Sequence, residues 1–228
     1  MFLRRILIFL FLLPLLSAVR AQRYDSIRAS LITCSPGQEV YALYGHTALR
    51  LQNFTRGEDL VFNYGVFSFS QPHFVWRFVR GQCDYMVVPI PWKYFTREYE
   101  ERGSSITAQV LNLTPSEAAR LYACVLEDCR PENRQYRYNF LYNNCTTKVR
   151  DAIERCVEGR IVYPDSVPLY TYRQMLRQYT AEHPWAQEGN DILLGAAVDT
   201  ALSARAAMFA PEYMLRYAAG AFIYADNN

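Results

Sequence analysis

The four residues Thr114-Pro115-Ser116-Glu117 constrain this chain most, because the apolar pattern changes period there. Thr at the cap, Pro at the first helical position and Glu three residues on form a capping box. Its side chains satisfy N–H groups that a helix start leaves open. Ala118, Leu121, Tyr122, Val125 and Leu126 follow at helical spacing, and the segment ends near Arg130-Pro131. Earlier segments alternate instead. In His46–Gln52, Thr47, Leu49 and Leu51 share one face of a strand and His46, Ala48 and Arg50 the other. Leu60–Tyr64 reads as its hairpin partner across a loop containing Gly57, and Ala29–Thr33, Val87–Ile90 and Ile106–Leu113 are further strands. A second helix is predicted to begin at Asn144 or Cys145, with Val149, Ile153, Cys156 and Val157 as its buried stripe and Gly159 as its stop. Thr171–Tyr179 reads as helix, whereas His183-Pro184-Trp185 and Gly189-Asn190 read as breaks. The fold class expected is α+β: a small antiparallel sheet packed on the Cys145 helix, with additional C-terminal helices.

The N-terminus reads as a secretory signal. Arg4 and Arg5 precede the apolar run Ile6–Leu16, and a cut is placed after Ala21. Residues 1–21 are therefore taken as signal peptide and 22–228 as one catalytic domain of the periplasm or cell envelope. The absence of a Cys at the cut argues against a lipoprotein precursor. Asp199, Arg205, Glu212 and Arg216 interrupt the apolar C-terminal region, which favours amphipathic helices over a bilayer span. Removing Arg4, Arg5 and Arg20 from the 24 basic side chains leaves 21 against 22 acidic ones, a net charge of −1. That balance excludes a basic nucleic-acid stripe. Only Lys93 and Lys148 are lysines, so the positive charge is carried by arginine, suited to planar carboxylate contacts. The 18 Tyr and 13 Phe supply an aromatic core, and some of those rings could line an acyl-chain site or meet a membrane surface.

Cys145 follows two asparagines and precedes two threonines. A Cys in the first helical turn sits where open N–H groups and the helix dipole favour a thiolate and an oxyanion. Of three histidines, His73 and His183 adjoin prolines in apparent turns, and His46 alone opens a strand on its polar face. Cys145 and His46 are therefore the candidate nucleophile and base. Asn63, on the following strand, is the candidate third residue orienting the imidazole, with Asp59 and Glu39 as weaker alternatives. Tyr44, Tyr64, Tyr142 and Asn144 are candidates for substrate contacts. Cys34 is an alternative nucleophile without a helix start behind it. The acids Glu100 and Glu101 make a poor glycosidase pair. The cysteines and histidines have no metal-ligand spacing, and no metal or cofactor is expected.

Several motifs together resemble a known family. They are Thr33-Cys34-Ser35-Pro36-Gly37, Tyr44-Gly45-His46-Thr47-Ala48-Leu49-Arg50, Phe62-Asn63-Tyr64-Gly65, Pro131-Glu132-Asn133-Arg134, Tyr138-Asn139-Phe140 through Asn144-Cys145-Thr146-Thr147, and Asp191-Ile192-Leu193-Leu194-Gly195 with Asp199. In order and spacing they resemble the DUF4105 domain, the N-terminal periplasmic part of Lnb-type lipoprotein N-acyltransferases of Bacteroides-like bacteria. The His-before-Cys order is also similar to the permuted branch of the NlpC/P60 papain-like superfamily. The resemblance implies a thiol acyltransferase with Cys145 as nucleophile and His46 as base. It would pass an acyl chain from a phospholipid donor at the membrane surface to the N-terminal Cys amine of a lipoprotein, or to a peptide amine. Those enzymes continue into a C-terminal transmembrane region, which this sequence does not display. Two other readings stand beside it: a cysteine peptidase or amidase acting on cell-wall peptides, and a non-catalytic envelope-binding domain.

Overall fold

A computed structural model describes residues 24–67, 72–73, 76–77, 80–164 and 170–224. The proposed signal peptide lies outside them. No helix among the described residues is long and apolar enough to cross a membrane.

The protein is α+β. Strands β1 (Ile27–Cys34), β2 (His46–Asn53), β3 (Glu58–Val66), β4 (Asp84–Pro91), β5 (Ile106–Val110) and β6 (Gln135–Arg137) form one sheet in the order β5-β1-β2-β3-β4-β6. Every pairing in it is antiparallel. A separate hairpin joins β7 (Arg160–Val162) to β8 (Phe222–Tyr224). Among the described residues the α-helices are α1 (Trp92–Glu101), α2 (Pro115–Asp128), α3 (Cys145–Cys156), α4 (Tyr172–Thr180), α5 (Pro184–Leu193), α6 (Ala204–Ala207) and α7 (Pro211–Ala219).

Strand alternation gives the sheet two buried faces. Leu31, Leu49, Leu51, Phe62, Tyr64 and Val87 pack against α2 and α3 through Leu121, Val125, Val149 and Ile153, in a core that extends to Met175 of α4 and Met214 of α7. On the reverse face Ile32, Cys34, Ala48 and Val61 meet Phe95 and Tyr99 of α1. A buried side chain of this size contributes roughly 1.5–3 kcal/mol, so both layers hold the central strands. The face of β2 that carries His46 is thereby covered by α1.

The Thr114 capping box is formed as the sequence predicts, and α2 ends at Asp128. Helix α3 begins at Cys145 and ends at Cys156, short of Gly159, whose φ is +106°. The expected break at Pro184 is instead a helix start: Pro184 occupies the first turn of α5, where its missing N–H costs nothing, and Gly189 and Asn190 lie inside the helix. The strand expected over Ile106–Leu113 stops at Val110, and sequence reading passed over the three-residue strands β6, β7 and β8.

Candidate active site

Three elements converge on one point. His46 opens β2 opposite Cys34 of β1, and Asn63 lies on β3, on the sheet face that also carries Ala48 and Val61. The β2–β3 ladder ends at Leu49 and Phe62, and the β3–β4 register shifts between Asn63 and Val66. The two central strands therefore part beside His46, and the first turn of α3 brings Cys145 there. A Cβ on Gly65 would stand 2.6 Å from His46 Cε1, so β3 passes directly against the imidazole and only glycine fits.

The hydrogen bonds fix how the imidazole is used. Asn63 Oδ1 lies 2.8 Å from His46 Nε2 and also accepts the Gly65 N–H at 2.9 Å. An oxygen that accepts from a backbone N–H is the amide carbonyl, so the neutral imidazole carries its proton on Nε2 and donates it to Asn63. Nδ1 is left with the lone pair that a general base needs. The Cys145 sulfur lines the same cavity as the imidazole, and the Thr146 hydroxyl lies 3.8 Å from it. Burial pushes the Cys145 thiol up. The His46 charge, the hydrogen bond to His46, the Thr47 N–H and the Thr146 hydroxyl outweigh it and bring the thiol down to about 7. Burial pushes His46 the other way, but the Cys145 charge and the bonds to Cys145 and Asn63 raise it on balance. The two titrate as a pair, and both shifts favour thiolate and imidazolium together.

Asn144 holds Cys145 in place. Its Oδ1 accepts the N–H groups of Thr146 and Thr147 at 2.9 Å each, and Thr147 Oγ1 accepts the Asn144 N–H at 2.8 Å, a second capping box. Its Nδ2 donates to the carbonyls of Phe140 and Phe209. The expectation of several helix-start N–H groups for an oxyanion is narrowed accordingly. Those of Thr146 and Thr147 are spent on the cap, and among the described residues the Cys145 N–H is the first-turn donor not committed in this way.

The site opens into a cavity of about 680 Å³. Phe67, Tyr85 and Tyr138 form an aromatic stack on one side, with ring centroids 4.7 and 4.0 Å apart, and Phe140 and Phe209 extend it. Tyr44 lines the cavity, packs edge-on to Phe140 at 4.9 Å, and accepts a hydrogen bond from Asn190 of α5. Two predicted substrate contacts lie elsewhere. Tyr64 alternates away from Asn63 into the main core, where its hydroxyl donates to Asp128 at 2.8 Å. Tyr142 is exposed and packs edge-on against Tyr172, away from the cavity lining. Asp59 is held in a two-pronged bond by Arg50, whereas the side chain bonded to the imidazole is Asn63. Burial pushes the Cys34 thiol up to about 12, which leaves it protonated at neutral pH. No group of three His, Cys, Asp or Glu among the described residues is arranged to hold a metal ion. Sequence reading missed Gly65, Thr47 and Phe209. Of these only Gly65 carried a signal, its place two residues after Asn63.

The family model of the Lnb N-terminal periplasmic domain matches residues 17–178, which include His46, Asn63 and Cys145. No curated protein and no solved structure matches the chain.

Proposed function

We propose, for a chain that belongs to the Lnb N-terminal periplasmic domain family, thiol-dependent acyl transfer at the cell envelope, on a permuted papain-like arrangement. The observation that carries this reading is Cys145 in the first turn of α3, lining one cavity with aromatic rings and with a His46 held by Asn63. The thiolate attacks an acyl ester such as that of a membrane phospholipid, and the Cys145 N–H faces the developing oxyanion. The imidazolium gives its proton to the leaving alcohol, which leaves a thioester and a neutral His46. An amine, such as the N-terminal Cys of a lipoprotein, then takes the acyl group. The arrangement supports the reading: His and Asn on neighbouring strands, Cys at a helix start, and Asn on one ring nitrogen, which leaves the other its lone pair. The acyl chain would lie along the Phe67–Tyr85–Tyr138 wall.

The test is mass spectrometry of lipoprotein N-termini in cells carrying Cys145→Ala. Loss of N-acylation is expected, and unchanged N-acylation would overturn the reading. Hydrolysis of peptides or amides by the same dyad is the second reading. It is favoured by the polar residues Ser35, Glu98, Arg102 and Ser104 in the cavity lining. Release of free acid from cell-wall peptides, without transfer to amines, would select it.

A further inference from the structure

The cavity is lined by two unlike sets of residues. Acyl transfer at Cys145 accounts for the aromatic set and gives Glu98 and Arg102, which line the cavity with Ser35 and Ser104, no task. Glu98 is on the last turn of α1 and Arg102 caps that helix, with Arg102 Nη2 2.5 Å from Glu98 Oε1. Phe95 and Tyr99 bury the neighbouring positions of α1 against the sheet, and the Tyr99 ring lies parallel to the His46 ring at 6.2 Å. The helix is thus fixed, and it presents the carboxylate to the same space as the dyad. The charge of Glu98 bears on His46. The cavity's other acid, Glu39, lies on the loop before the turn Val40–Ala42. Both members of the Glu98–Arg102 pair are more than two-fifths exposed. A pair so solvated contributes little by itself, so an incoming cation displaces Arg102 at small cost.

Resting on the acyl-transfer reading, we propose that Glu98 docks the ammonium form of the acceptor beside the acylated Cys145, so that the acyl group passes to a cationic amine rather than to water. Once Cys145 is acylated, sulfur is neutral and His46 is a neutral base at Nδ1. The docked ammonium gives one proton to solvent, and its nitrogen attacks the thioester carbon. A C–N bond forms, and a second proton passes from nitrogen to His46. The C–S bond then breaks with its electron pair on sulfur, which returns the thiolate–imidazolium pair and releases an amide.

The test uses the purified protein with a p-nitrophenyl ester of a short fatty acid as donor. Cysteinamide serves as the cationic acceptor and hydroxylamine as the neutral one, and products are counted by mass spectrometry. Glu98→Gln is expected to lower the ratio of amide to free acid with cysteinamide by about ten-fold or more, the size of a lost charge-assisted hydrogen bond. Its ratio with hydroxylamine is expected to match that of the unmutated protein, because any change in ester consumption through the charge on His46 falls equally on both acceptors. Glu98→Asp, which keeps the charge, is expected to restore part of the amide. An unchanged cysteinamide ratio in Glu98→Gln, or an equal loss with both acceptors, overturns the assignment. If the unmutated protein never acylates Cys145, the acyl-transfer reading falls and this assignment falls with it.

Discussion

The residue-scale question is which protons sit where at the dyad, and Asn63 answers half of it. Because its carbonyl oxygen is pinned by the Gly65 N–H, His46 keeps its proton on Nε2 and its lone pair on Nδ1. The thiolate is the reactive form, so a thiol brought down to about 7 gains reactivity as pH rises through that value rather than near the ordinary cysteine range. Alkylation of Cys145 by iodoacetamide is expected to reach half its plateau near pH 7, with the midpoint moving upward in His46→Ala and moving less far upward in Asn63→Ala. A midpoint unmoved in His46→Ala would show that the imidazole does not hold the thiolate. Gly65→Ala tests the close approach of β3 to the ring. Its Cβ cannot fit 2.6 Å from His46 Cε1, so the imidazole must shift. A misplacement of about 1 Å costs roughly 10²-fold in rate, and an ester-turnover assay should show a loss of that order. Unchanged turnover would mean that the ring tolerates the displacement. At this scale the sequence was informative about His46 and Cys145, which sit at the starts of regular elements. It said little about Thr47 N–H or Gly65, whose roles arise from where two strands part.

At the scale of elements, the start of α3 shows how much one cap holds together. Asn144 accepts two helix N–H groups and donates to the carbonyls of Phe140, four residues before it, and of Phe209, 65 residues after it. Losing such a cap costs about 1 kcal/mol, up to about 2, and the two carbonyls lose a donor besides. Asn144→Ala is therefore expected to lower Tm by roughly 4–8 °C, taking about 2 kcal/mol at 2–4 °C each. It should also slow Cys145 alkylation at pH 7, because the thiol no longer sits in a fixed first turn. A Tm shift under about 1 °C would contradict the capping role. The cap was legible as Asn-Cys-Thr-Thr before an apolar stripe, since N-cap chemistry is local. Its contact with Phe209 was not, because nothing in the sequence near either residue records the other. The Pro184 misreading has the same origin. Pro ends a helix when it is interior and begins one at the first position, and the packing of α5 decides between them.

Across the whole molecule, one arginine gathers the segment from α5 to Asp199 onto α4. Arg173 of α4 bonds to both carboxylates Asp191 and Asp199 and to the carbonyls of Asp191 and Gly195. This explains the Asp191-to-Gly195 motif with Asp199 as a structural clamp at a distance from the thiol. Burial opposes the charge of Arg173 only weakly, and bonds to Asp199 and Asp191 hold its guanidinium charged. From the clamped segment Asn190 reaches Tyr44 at the cavity wall. The dyad itself rests on β2, β3 and α3, which the clamp does not touch. Arg173→Met is therefore expected to lower Tm and to speed limited proteolysis between residues 184 and 200. It should leave the pH midpoint of Cys145 alkylation where it is, while ester turnover falls as Tyr44 loses its support. A midpoint moved toward that of His46→Ala would mean that the C-terminal helices hold the dyad as well as its cavity. The clamp would then belong to the catalytic machinery rather than to the walls around it.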